Sequence, residues 1–136
     1  MPPAASIVIP TRRRRDYLAV ALASAAPQGA AHGAELIVVE DDPADAETEQ
    51  LAARHGARYE AHGETRGLNA ARNTAIALAQ ADLLCFLDDD AEAWPGWLGA
   101  LLAAAAALPG HDVFGGPIRP GSRGRTSTPA GASRRR

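Results

Sequence analysis

Three consecutive carboxylates, Asp88, Asp89 and Asp90, close the run Leu83–Asp90, LLCFLDDD. Like charges packed this closely repel, so a positive partner is expected beside them. A divalent cation suits the position, because Mg²⁺ and Mn²⁺ prefer hard oxygen donors. A second acidic end, Asp41-Asp42, closes ELIVVE. A third segment, SIVIP, runs into Thr11 and the arginines Arg12 to Arg15, and the stretch GLNAARN offers Asn69, Arg72 and Asn73. Carboxylates with a cation on one side, and Arg with helix N–H groups on the other, suit a metal-bound diphosphate. Two plainer alternatives stand beside this: the DDD as a solvated acidic turn, and Arg72 in an ion pair on a helix surface.

These side chains meet only if their elements share a rim. Ser6–Pro10 and Glu35–Glu40 are β-branched runs that read as strands. Leu83–Asp88 opens with residues apolar at every position, the pattern of a strand buried on both faces of a parallel sheet. Helices are expected between the strands. The first runs from a cap at Asp16 to Ala26, with Pro27–Gly33 as a loop. The second covers Ala44–His55, with Pro43 at its start, Leu51 inward and Gly56 as its stop. A weak strand at Ala57–Ala61 follows. The loop Gly63–Asn69 enters a third helix with the inner stripe Leu68, Ala71, Ile76 and Ala79. Trp94, Trp97 and Leu98 begin a fourth helix, which reaches Ala107 and is stopped by Pro109-Gly110. Val113–Gly116 reads as a last short strand. Strict β-α alternation predicts an α/β fold, a mostly parallel sheet flanked by helices on both faces, with the strand ends sharing one edge.

Composition sets the bounds. At 136 residues the chain is at most one domain. All 14 basic residues are Arg. Residues 1–118 carry all 16 acids against 8 arginines, a net charge of −8, whereas 119–136 hold 6 arginines and no acid. That last stretch has no apolar side chain larger than Ala and is expected to be a disordered tail, leaving 1–118 as the folded unit. The single Cys85 excludes an intramolecular disulfide. No secretory signal is read at Met1–Ser6, and no apolar segment reaches the ~20 residues of a membrane span, so a cytoplasmic location is expected.

SIVIPT, ELIVVEDD, GLNAARNTAI, FLDDDAE and the WPGWL helix start, in this order, resemble a family 2 glycosyltransferase of the GT-A fold, over roughly residues 5–118. The resemblance implies a nucleotide-diphospho-sugar donor, a UDP-sugar in the usual case, with Mn²⁺ or Mg²⁺. It implies that Pro10, Thr11 and Arg12 line the base pocket and that Asp41 hydrogen-bonds the base. Arg72 lies near the nucleotide, and Asp88 to Asp90 match the DxD motif, with Asp89 near the ribose and Asp90 as the direct ligand of the metal. Arg12 stands where an aromatic is common, and Glu40 where Asp is usual. The family's acceptor-binding half and its catalytic base follow the segment resembling VFGGPIRP. No acid follows Asp112 here, so the expectation is a truncated, donor-binding portion without a base of its own.

Other classes fit less well. A phosphorelay receiver would use ELIVVEDD and an Asp near Asp88, but it needs a later Lys, as do phosphotransferases of the haloacid dehalogenase type. This chain has none. A nucleic-acid binder would use the Arg runs, but the folded part is acidic and aromatics make up only 4% of residues, so no nucleic-acid partner is expected. A non-catalytic remnant of a glycosyltransferase, or a nucleotide-binding module, remains as the alternative.

Overall fold

The computed structural model describes residues 1–121. Its elements are β1 (Ser6–Thr11), α1 (Arg15–His32), β2 (Glu35–Glu40), α2 (Ala46–Arg54), β3 (Arg58–Ala61), α3 (Leu68–Leu78), β4 (Leu84–Phe86) and α4 (Trp97–Ala107). The four strands form one sheet in the order β3-β2-β1-β4, and every neighbouring pair is parallel. The expected α/β fold is therefore present, with β1, β2 and β4 side by side.

Side-chain alternation sorts the core into two layers. Ile7, Ile9, Leu36 and Val38 point to one face and are covered by Leu18, Leu22 and Ala25 of α1, Ala52 of α2 and Leu98 of α4. Val8, Ile37 and Val39 point to the other and are covered by Ala71 and Ala75 of α3. Strands this apolar on both sides require helices on both faces, because either face left wet would forfeit roughly 25 cal/mol per Å² of apolar area.

Several local expectations are corrected. Helix α1 does not stop before Pro27 but runs through it to His32. Its buried row, Leu18, Ala21, Leu22, Ala25 and Gly29, continues past the proline. Gln28 also ties the helix down: it donates to the Trp94 carbonyl at 2.8 Å and accepts from the Leu98 N–H at 2.9 Å. Tertiary contacts thus offset a proline cost of about 3 kcal/mol. The helix ends where Gly33 turns left-handed, at φ +68°. Asp16 lies in its first turn, and the cap position belongs to Arg14. Helix α2 starts two residues later than expected, because Asp45 caps it by accepting from the Thr48 N–H at 3.1 Å.

On α3 the buried stripe is Ala71 and Ala75, while Leu68 and Ile76 are half exposed. Alanines at i and i+4 let the helix lie close on the sheet. Strand β4 is short and lies at the sheet edge; Cys85 is buried but Phe86 is 44% exposed, so the strand is not covered on both faces. Trp94 precedes α4 instead of belonging to it. The expected strand at Val113–Gly116 does not form: the segment has no regular structure and Val113 is exposed. Arg119–Gly121 also lack regular structure, and the remainder of the expected disordered tail, 122–136, lies outside the described residues. Among the described residues no helix is long and apolar enough to cross a membrane.

Candidate functional site

Parallel strands deliver their carboxyl ends to one edge, and here that edge collects Thr11, Glu40–Asp42 and Asp88–Asp90. The Asp41 N–H donates to the Thr11 carbonyl at 2.9 Å, and the Leu87 N–H to the Val8 carbonyl at 3.0 Å. The loops after β1, β2 and β4 therefore leave the sheet together.

Asp89 is the buried member of the acidic triplet, 9% exposed. Its Oδ2 accepts the Thr11 hydroxyl at 2.9 Å. Burial pushes its carboxyl above the usual range, the Thr11 hydrogen bond and the Arg14 charge pull the other way, and Asp90 and Asp88 add to the rise. Asp88 and Asp90 point outward, with side chains 66% and 53% exposed. Arg14 holds one guanidinium nitrogen 3.5 Å from both Asp89 and Asp90. Arg72, on α3, lies 3.8 Å from Asp88 and donates to Asn69 at 3.5 Å. The acidic rim thus sits between two arginines from opposite layers of the fold.

Asp41 is set differently. It is 5% exposed and accepts three N–H groups: His62 Nδ1 at 2.9 Å and the Arg66 backbone at 2.8 Å on Oδ1, and the Gly67 backbone at 2.9 Å on Oδ2. Burial alone would raise its pKa, but these donors outweigh burial and hold it below the usual value. Gly67, at φ +103°, makes the turn that aims its N–H at Asp41. His62 Nε2 in turn meets the Thr74 hydroxyl of α3 at 2.7 Å.

The loop Arg12–Arg15 wraps the other side. Arg13 adopts φ +52° and pairs with Asp42, whose carboxyl is held low chiefly by that hydrogen bond. Arg12 is exposed and adds to the field at Asp42. A cavity of about 710 Å³ opens beside the rim, between the starts of α1 and α2, with Arg13, Tyr17, Glu40 and Asp42 on its walls. Glu40 is buried, its carboxyl is pushed up by that burial, and its Oε2 has no hydrogen-bond partner.

The expected site residues Pro10, Thr11, Arg12, Asp41, Arg72, Asp88, Asp89 and Asp90 all lie along this edge or on the loops and helix bordering it. Thr11 and Asp89 are in direct contact; Asp41 faces the α3 layer, across from Arg14. Sequence reasoning missed Arg14, His62 and Thr74. Arg14 was one of four undifferentiated arginines, and His62 follows a weak strand with nothing local to mark its partners.

Among the described residues no three His, Cys, Asp or Glu side chains cluster as a ready-made metal cage. The donor chemistry nevertheless fits Mg²⁺ or Mn²⁺. Such ions commonly take one or two carboxylates and complete their shell with substrate phosphates and water. Asp90, and Asp88 beside it, present outward oxygens of that kind, whereas Asp89 is buried and committed to the Thr11 hydroxyl.

Solved structures share this fold. The S. aureus TarS 1–349 crystal structure aligns with a TM-score of 0.67 at 22% identity, covering 80% of this chain and 33% of that one. Mannosyl-3-phosphoglycerate synthase from Rubrobacter xylanophilus aligns with a TM-score of 0.57 at 23% identity, covering 74% and 36%. A CMP:2-keto-3-deoxy-manno-octonic acid synthetase complexed with CTP aligns with a TM-score of 0.58 at 20% identity, covering 77% and 48%. The chain spans a third to about half the length of these proteins. No curated protein matches it significantly. The model of glycosyl transferase family 2 matches residues 6–134, nearly the whole sequence, and the chain belongs to that family.

Proposed function

We propose that this rim binds a nucleotide-diphospho-sugar, a UDP-sugar by preference, together with Mg²⁺ or Mn²⁺, as the donor half of a sugar transfer, in a cytoplasmic setting. The observation that carries the reading is the outward pair Asp88 and Asp90 flanked by Arg14 and Arg72, beside a buried Asp89 anchored on Thr11. Membership of the family supports the reaction class, and a neighbour of the same fold solved with CTP supports the ligand class. Residues 1–118 form the proposed donor-binding unit.

In this reading Pro10, Thr11 and Arg12 border the base, with the Arg12 guanidinium stacking where an aromatic ring is common. Asp41 accepts a base N–H on the one lone-pair position that its three protein donors leave open. Asp89 stands at the ribose, its carboxylate oriented by the Thr11 hydroxyl. Arg72 and Arg14 face the diphosphate, and Asp90, with Asp88 near it, holds the metal. When bound, the ion neutralises charge on the leaving diphosphate as a Lewis acid. The acceptor hydroxyl must lose a proton to a carboxylate base, and none of the described residues is assigned that role.

Calorimetry with uridine diphosphate, with and without Mn²⁺, tests the proposal. Binding is expected only with the ion. Asp90→Asn, equal in size but uncharged, should weaken it roughly tenfold to a hundredfold, the worth of one charge-assisted contact. Binding that ignores the metal, or an Asp90→Asn variant that binds as tightly as the parent, would remove the metal role.

A further inference from the structure

His62 is almost completely buried, with 3% of its side chain exposed, and both ring nitrogens are engaged. A carboxylate can only accept, so the contact with Asp41 requires the ring proton on Nδ1. In the neutral ring Nε2 then accepts, and the Thr74 hydroxyl must donate to it. One imidazole therefore joins the end of β2, through Asp41, to the middle of α3, through Thr74.

Two consequences meet at the site. Asp41 offers about four acceptor positions, and His62, Arg66 and Gly67 take three of them. The two backbone donors belong to the loop entering α3; His62 is the only side-chain donor among the three. The backbone donors hold one oxygen each; His62 fills the second position on Oδ1, so the position left for a ligand is on Oδ2. Thr74 lies two residues beyond Arg72 on the same helix, so the same ring restrains the helix that holds Arg72 against Asp88.

We propose that His62 is a positioning residue for nucleobase discrimination, acting through its Nδ1–H on Asp41 and not by touching the ligand. This rests on the reading of Asp41 as the group that meets the base. The two nitrogens can be separated chemically, because the side-chain amide of Asn places its N–H near the position of Nδ1, whereas that of Gln reaches toward Nε2. His62→Asn keeps the Asp41 contact and loses the Thr74 contact; His62→Gln does the reverse.

The test is calorimetry of the full chain with UDP, CDP, ADP and GDP in the presence of Mg²⁺. The quantity read is the ratio between the weakest and the tightest dissociation constants. The parent ratio should persist in His62→Asn and fall roughly tenfold in His62→Gln, the worth of one hydrogen bond to a charged group. Loss of fold alone would weaken all four nucleotides together and would not separate Asn from Gln. Equal ratios in the parent and His62→Gln, or equal losses in both variants, overturn the proposal while leaving donor binding intact. A folded parent that binds none of the four overturns donor binding and this inference together.

A measurement on the unmutated chain guards against variants that fail to fold. The His62 Nδ1–H resonance in ¹⁵N-labelled protein should shift when UDP is added and stay in place with inorganic pyrophosphate, which lacks a base. A resonance indifferent to UDP overturns the proposal.

Discussion

The hydroxyl of Thr11 donates to the carboxylate of Asp89 at 2.9 Å, joining the last residue of β1 to the loop after β4 across 78 positions of sequence. Thr11 is 4% exposed and Asp89 9%, so water does not compete freely for either. The bond fixes the middle carboxylate of the triplet against the end of β1, and its two neighbours turn outward.

Thr11→Val keeps the shape of Thr11 and removes the donor. Asp89 then loses a buried hydrogen-bond partner, which costs about 1–3 kcal/mol. Urea denaturation near neutral pH should show a lower midpoint with an unchanged slope. An unchanged midpoint would mean that Asp89 is held by Arg14 alone.

Two buried carboxylates on β2 and its following loop should respond oppositely to acid. Asp41 has its folded pKa lowered, so its stabilising contribution is present above the unfolded value of about 3.8 and is lost as pH falls through the folded value. Asp41→Asn should therefore flatten the acid limb of the stability curve. Glu40 has its folded pKa raised above 4.5, so its contribution is present below that value and is lost as pH rises through the folded value. Glu40→Gln should melt higher than the parent at pH 7, and the gap should close as pH drops below about 4.5. Thermal melts from pH 3 to 8 check both signs.

Arg72 reaches the acidic rim from an exposed helix face, with 37% of its side chain exposed. Arg72→Ala should change stability by less than about 1 kcal/mol, as for other solvent-screened pairs. It should weaken uridine diphosphate roughly tenfold and leave uridine unaffected, because in the proposed donor site Arg72 faces the diphosphate, which uridine lacks. Equal effects on both ligands would place Arg72 away from the phosphates.

Helix α1 carries Pro27 in its interior at the cost of one backbone hydrogen bond. Pro27→Ala restores that bond and relieves the ring clash, but it also gives the unfolded chain more freedom to lose, worth roughly 0.4–1 kcal/mol. The balance should be a stabilisation of about 2 kcal/mol. A differential scanning measurement that finds Pro27→Ala less stable would mean that the ring itself packs usefully against its surroundings.

Much of this arrangement was legible in the amino-acid order. Ile7 to Ile9 and Leu36 to Val39 are β-branched or apolar without a break, and only a sheet covered on both sides satisfies them, so strand identity and parallel pairing followed directly. The acids and Thr11 lie at strand ends, and parallel strands have no choice but to bring those ends to one edge. The α/β class and the composition of the rim were therefore determined by short-range pattern.

Tertiary structure decided what local pattern cannot encode. Pro27 is a stop signal by itself and becomes tolerable because the buried row of α1 continues past it and Gln28 meets Trp94 and Leu98, about 70 residues away. Leu83 to Leu87 read as doubly buried, yet Phe86 stays half exposed because, among the described residues, no neighbouring strand or helix closes over the edge that β4 occupies. Val113–Gly116 has strand-like composition, but a strand needs a partner, and pairing is a property of two segments. The same reason hid Arg14, His62 and Thr74. An ion pair or hydrogen bond between residues far apart in sequence leaves no periodicity in either segment, and only the packed chain brings the imidazole of His62 between Asp41 and Thr74.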